Sequence, residues 1–366
     1  MQIRPTLSTD SPRYANFTRL GTAGLLTMVA LVGGMGCNDT PLGERTYVDE
    51  YVQPPASPVD VLFVVDNSDS MREDGGELDR VVAGFDSFIA NLSEANIEFH
   101  IGVTTTDMSA ESASNPGTQG RLVEAKGVRY VTYEMQESQY QSTFEAMIDA
   151  VSLTRGSGYE KGLYAAKTAL FPQSRGGQGG SSGYNAGFLR DDAKLAIVFV
   201  GDEDDCSDDN ALPMEQPTDC YAMYYDLRSV YEYVNDYQSL KARASDIVVS
   251  AIVNIPNDER CNPSDSEGCR YIETAQSFNG VVGNIKLSDF SGILQDMGLA
   301  AAGIMRSFPL EYVPDISTLE VSVDDELLGA DAGWQYNGDS EYPAIEFPGD
   351  YVPPRGSKVT IRYERG

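Results

Sequence analysis

The sequence predicts a doubly wound α/β domain, its mostly parallel sheet covered by helices on both faces, and a small C-terminal all-β module of sandwich type. Three observations predict this. Runs that are apolar at nearly every position, such as VDVLFVV (59–65) and LAIVFV (195–200), fit strands buried on both faces, as parallel sheets require. Segments with apolar residues at three- and four-residue spacing separate these runs, giving a strand–helix alternation. From Phe308 the period changes to two and no helical pattern remains.

The elements follow in chain order. Three arginines precede a short apolar run over residues 21–36, which ends in small residues before Cys37. That is the form of an export signal too short to span a bilayer comfortably. Residues 38–58 are polar and end in PPASP, predicting a flexible tether. After the first strand, Leu78, Val81, Val82, Phe85, Phe88, Ile89 and Leu92 form one helical stripe. Residues 97–103 predict the next strand, 128–133 an edge strand, and 144–151 a short helix. A helix over 160–170 stops before Pro172, and a Gly/Ser-rich loop over 174–187 leads to the strand at 195–200. A Tyr-rich helix over 221–241, a strand over 247–255, a helix over 271–278, a short strand near 282–287 and a helix from 290 to 304 complete the domain. In the β module Leu319, Val321 and Val323 alternate with polar residues, as do Val359, Ile361 and Tyr363. The expected organisation is therefore a signal with its cysteine (1–37), a tether (38–58), the α/β domain (59–307) and the β module (308–366).

Acidic residues number 56 against 26 basic, for a net charge of −30. Such a surface repels phosphate backbones and excludes nucleic-acid binding as an expectation; it suits divalent cations, cationic partners or simple solubility. Besides Cys37 the chain carries Cys206, Cys220, Cys261 and Cys269, an even number that predicts two disulfides in an oxidising compartment. Three pairings are open, with the local Cys206–Cys220 and Cys261–Cys269 arrangement preferred. The spacings do not suit zinc, and the single histidine, His100, in an apolar strand-like stretch, leaves little scope for histidine-dependent catalysis.

The stretch that carries chemistry is VDVLFVVDNSDSM (59–71). Asp66, Ser68 and Ser70 place a carboxylate and two hydroxyls at alternate positions just past a strand's carboxyl end, where open α/β sheets bind ligands. Hard oxygens of this kind suit Mg²⁺, Mn²⁺ or Ca²⁺. The alternative is a polar turn whose Ser and Asp cap the next helix. The run GDEDDCSDD (201–209) adds Asp202 after the second strong strand, then Glu203, Asp204, Asp205, Asp208 and Asp209 around Cys206. Two readings of that run stay open: a second, calcium-like site or rim formed by Glu203, Asp204 and Asp205, or a solvated acidic loop. Thr104, Thr105, Thr106 and Asp107 end a neighbouring strand and are expected to form a polar loop on the same rim.

The apolar strand followed by Asp66-x-Ser68-x-Ser70 resembles the metal-ion-dependent adhesion site of von Willebrand factor type A domains, a Rossmann-like family. The resemblance covers residues 59 to about 305. It implies that Asp202 is the aspartate of the third loop, with Gly201 and Glu203 standing where the family has Thr and Gly. It implies that Ser157, six residues before Leu163, supplies the second-loop hydroxyl. By resemblance one divalent cation, Mg²⁺ foremost with Ca²⁺ or Mn²⁺ as alternatives, would be held directly by Ser68 and Ser70. Asp66 and Asp202 would act largely through water, with Ser157 direct or through water. Its open position would take a carboxylate from a partner protein. The segment GMGC (34–37) resembles the lipobox of bacterial lipoproteins, in which Cys37 is lipidated, with a plain secretory signal as the alternative. The whole chain is similar to bacterial envelope lipoproteins with a type A domain. That implies a lipid-anchored, cation-dependent adhesion or scaffolding module at the outer membrane or cell surface, or facing the periplasm, that is not an enzyme. The alternatives are a structural envelope component stabilised by its ion and, remotely, a hydrolase using paired carboxylates.

Overall fold

The computed structural model describes residues 46–366, apart from 56, 73–75, 95, 110–117, 154–155, 157, 174–176, 213–218, 257–266, 330–332, 340–342 and 348–350. Cys37, Ser157 and Cys261, and the signal, lie outside the described residues. The chain opens with β1 (Thr46–Val52) and continues through β2 (Val59–Val65), α1 (Glu77–Glu94), β3 (Phe99–Thr105), β4 (Val131–Thr132), α2 (Glu137–Ser152) and α3 (Gly162–Leu170). There follow β5 (Lys194–Gly201), α4 (Asp219–Ala222), α5 (Val230–Gln238), β6 (Ile247–Val253), α6 (Cys269–Ser277), β7 (Val282–Asn284) and α7 (Ser291–Ala302). Six short strands end the chain: β8 (Ser307–Pro309), β9 (Glu320–Val323), β10 (Glu326–Leu327), β11 (Gln335–Tyr336), β12 (Ala344–Glu346) and β13 (Lys358–Glu364).

The central sheet has the order β4-β3-β2-β5-β6-β7, parallel throughout except for β4. Every residue of β2 is buried because helices cover both faces. Val61, Phe63 and Val65 point to one core with Phe85 and Phe88 of α1, Phe144 of α2 and Leu294 of α7. Leu62 and Val64 point to the other, with Leu163 of α3, Tyr233 and Tyr237 of α5 and Tyr271 of α6. α1 and α7 approach closely at Gly298, where a Cβ would stand 2.2 Å from the Phe88 carbonyl oxygen. Because β2 lies between β3 and β5, the chain leaves it in both directions. The carboxyl ends of β2 and β5 thus flank a topological switch point, the usual ligand position in such sheets.

The C-terminal module consists of two antiparallel sheets, β1-β13-β9-β10 and β11-β12-β8, around Phe308, Val321, Ile345, Phe347, Val359, Ile361 and Tyr363. Two expectations need correction. Residues 46–52, expected within a flexible tether, form β1, which pairs antiparallel with β13 from Thr46↔Glu364 to Val52↔Lys358. The alternation in TYVDEYV sends Tyr47 and Tyr51 onto the module's core. The helix expected over 221–241 is interrupted. Ser229 and Glu232 make a reciprocal capping box that starts α5 afresh at Val230, leaving α4 and a 3₁₀ turn (Tyr224–Asp226) ahead of it.

Candidate metal centre

The first loop leaves β2 at Asp66, whose backbone N–H donates to the Val200 carbonyl of β5 (2.8 Å). This bond sets the loop at the switch point. Asp66 is 1% exposed; its Oδ1 accepts the Ser68 N–H (2.7 Å), while its Oδ2 is buried with no hydrogen-bond donor. Ser68 Oγ and Ser70 Oγ lie 2.9 Å apart, and Ser70 Oγ donates to Asp202 Oδ1 at 3.2 Å. The structure therefore brings Asp66, Ser68, Ser70 and Asp202 together, grading from the buried Asp66 to the exposed Ser70. Asp202 is held from behind: Asn254, past the end of β6, donates to its carbonyl (2.7 Å).

The second loop is fastened to its neighbours by backbone bonds. Gly156 N–H donates to Asn67 O (3.1 Å), Lys161 N–H to Thr106 O (3.1 Å), and Cys206 N–H to Glu160 O (2.6 Å). A Cβ at Gly156 would stand 2.4 Å from Asn67 Oδ1, so only glycine allows this approach. Ser157 itself lies outside the described residues.

Glu160 is the residue whose role sequence reasoning missed. It is 1% exposed, one oxygen accepts from the Thr106 hydroxyl, and the other, Oε1, is buried without a donor. Its charge and that of Asp66 act on each other. Burial first, and the Asp202 charge after the opposing Ser68 bond, raise Asp66 to about 7. Burial and then Asp66 raise Glu160 well above the usual carboxylate range. Two such carboxyls require a shared proton or a cation. Its only sequence signal was an acidic residue between glycines and an apolar helical stripe. Among the described residues no three of His, Cys, Asp or Glu stand close enough to hold an ion by themselves. A cation here would rely on the serine hydroxyls, and the buried, donorless oxygens of Asp66 and Glu160 fit one.

The acidic run after Asp202 departs from the solvated-loop expectation, and three of its carboxylates are paired by the protein. Asp204, Asp205 and Asp208 are buried, so the run is not a solvated loop. Asp205 pairs with buried Arg270 (3.0 Å) and accepts from the N–H of Leu163 and Ser207. Asp208 pairs with Lys161 (2.6 Å), and Asp209 with Lys167 (2.6 Å) and Arg228 (3.5 Å). Asp204 accepts backbone N–H groups of Asp205 and Arg270, and burial raises it to about 7. Glu203 is also raised, by burial and then Asp202. The repulsion that suggested a second cation is thus largely relieved from within. Of the rim, Thr104, Thr105, Thr106 and Asp107 are all buried.

A disulfide joins Cys206 and Cys220, as expected, and Cys269 is disulfide-bonded as well. Burial, followed by the charges of Glu203, Asp204, Glu160 and Asp202, pushes the Tyr221 phenol up to about 12, so the bridged segment stands beside the site. His100, the second residue of β3, donates from Nδ1 to the Phe188 carbonyl (2.9 Å), and Asp60, the second residue of β2, lies 3.7 Å away.

No family model matches the chain, and no curated protein matches it. Among solved structures the chain is similar to the pilus adhesin SpaC of Lactobacillus rhamnosus GG, at 12% identity and a TM-score of 0.40 over 87% of this chain and 40% of that one. An aerotolerance-related membrane protein from Bacteroides fragilis is similar at 14% identity and a TM-score of 0.29, over 66% of this chain and 98% of that one. Human COPII-coat protein Sec24c is similar at 9% identity and a TM-score of 0.35, over 90% and 44%. The chain spans less than half the length of the adhesin.

Proposed function

We propose that this chain is a type A-like module that binds a partner protein through one divalent cation, Mg²⁺ foremost, held by Asp66, Ser68, Ser70, Asp202 and Ser157. The observation that supports it most is the buried, donorless Oδ2 of Asp66, set among two serine hydroxyls and a second aspartate at the sheet's switch point. When bound, the cation would supply a positive centre able to take up a carboxylate of the partner. The chain's own residues do the rest. Asp66 and Glu160 supply buried negative charge, Ser70 and Asp202 keep the mouth of the site at the surface, and Gly156 lets the second loop close on the first. An export signal with Cys37 as lipid anchor would display the module in a bacterial envelope, with a role in adhesion or scaffolding and no bond chemistry.

A pull-down from envelope extract tests this reading. A partner should be retained with Mg²⁺ and lost with EDTA or in Asp66→Ala; retention by the variant would refute a role for the cation. A second reading, in which the ion serves stability alone, draws on the deep burial of Asp66 and Glu160. It expects a large fall in melting temperature on chelation and no partner lost.

A further inference from the structure

A cavity of about 600 Å³ opens at the edge of the central sheet opposite the candidate cation site, where β5 and β6 begin and α7 ends. Lys194, Arg243 and Arg306 line it beside the apolar side chains of Ile304 and Met305, with Asp246 the one carboxylate among its described lining residues. A second hollow of about 520 Å³ adjoins it and shares Arg306, with Asp296 and Glu346 in its wall. In a chain where acidic residues outnumber basic ones 56 to 26, the three cations and one carboxylate around the first cavity reverse the general balance.

These cations, and Arg355 close behind them, are unequally matched. Arg243 is matched, through a bidentate pair with Asp246 (2.9 and 3.0 Å). The half-buried ammonium of Lys194 sits over Gly303 and has no hydrogen-bond or ion-pair partner among the described residues; burial lowers it, Asp246 opposes this, and the charges of Arg355 and Arg243 lower it further. Arg355 donates Nη2 to the Ala302 carbonyl (3.0 Å), while its Nε and Nη1 are buried without an acceptor. Burial alone lowers Arg355, with no carboxylate acting on it. Arg306 Nε is likewise buried without an acceptor, and its nearest carboxylate, Asp296, is half-exposed at 3.7 Å. The last carbonyls of α7 attract cations and account for one of these donors. They leave at least three buried N–H donors and an ammonium unfilled, an arrangement that costs stability unless an acceptor arrives.

We propose that this cavity binds the oxyanion of a small organic acid or phosphate ester. Lys194 and Arg306 would take the anion, with the charge of Arg355 behind them, and Ile304 and Met305 would face the ligand's apolar part. Guanidinium forks beside an ammonium match carboxylate and phosphate oxygens, and the cavity has the size of ordinary small-molecule sites.

Calorimetric titration of the full chain at constant ionic strength, with inorganic phosphate, glycerol 3-phosphate and hexanoate as probes, tests it and separates phosphate from carboxylate ligands. At least one probe should bind saturably. Lys194→Gln and Arg306→Gln should each weaken that binding about tenfold or more, and Asp66→Asn should leave it unchanged, which keeps this site independent of the cation site. In probe-free buffer Lys194→Met should hold or raise the melting temperature, since it removes an unpartnered ammonium. No saturable binding by any probe, unchanged binding in both glutamine variants, or a lower melting temperature for Lys194→Met would overturn the proposal.

Discussion

Two groups of carboxylates stand side by side past the ends of β2 and β5, and their surroundings are opposite. In the run from Asp205 to Asp209 the acids meet Arg270, Lys161, Lys167 and Arg228. In the first-loop site, Asp66 and Glu160 meet each other and hydroxyls, and each has a buried oxygen without a donor. Density of acidic residues along the sequence therefore does not say which carboxylates lack a partner. The crowded run is mostly paired within the protein, and the sparser one keeps two buried carboxyl oxygens without a donor, the feature on which the proposed cation site rests. Matching of charge, which only the fold determines, distinguishes the two.

The largest expected effect comes from unmatching the first group. Arg270→Ala removes the partner of fully buried Asp205 and donors to the Ser207 and Arg228 carbonyls. Loss of one partner of a buried pair costs about 3–5 kcal/mol, measurable by urea unfolding of the full chain. Next is the Cys206–Cys220 bridge, which closes a loop of sequence separation 14. Replacing both cysteines with serine should cost about 3 kcal/mol by loop entropy. The loss of cation response should follow as well, if the bridge holds the segment beside Glu203 and Tyr221 in place.

A smaller effect concerns pH in the absence of cations. Asp66 and Glu160 hold protons in the folded chain that they release in the unfolded one near ordinary carboxylate values. The folded state then binds more protons, so stability falls as pH rises from the unfolded pKa near 4 through the folded pKa of about 7 for Asp66. In EDTA the melting temperature should drop between about pH 5 and about pH 8; with Mg²⁺ that drop should shrink, because the ion takes the place of the proton. An identical decline with and without Mg²⁺ would detach these carboxyls from any cation. The smallest effect is expected at the partly exposed Lys167–Asp209 pair, where Lys167→Ala should cost about 1 kcal/mol or less, read by the same urea titration.

Much of the fold was legible. The runs in β2, β5 and β6 are buried on both faces, and such strands carry an unmistakable apolar signature. β1 was not legible as a strand because its partner, β13, lies some three hundred residues away, and pairing at that separation leaves no local signal. The Tyr-rich pattern over 221–241 reads as one helix because Ser229 and Glu232, whose capping box restarts it, lie inside an otherwise helical pattern. At the candidate site, Asp66 and Asp202 could be read because each follows a strand end directly, and Ser68 and Ser70 because they alternate with Asp66 in the same loop. Glu160 could not, since its burial depends on Thr106, Asp66 and Cys206 arriving from three other loops.

Calorimetric titration of Mg²⁺ into the chain and into Asp66→Asn measures the central claim most directly. One ion per wild-type chain and none in the variant is the result expected. No binding to the wild type, or the same stoichiometry and affinity in both, would contradict the assignment of Asp66, Ser68, Ser70 and Asp202 as a cation site.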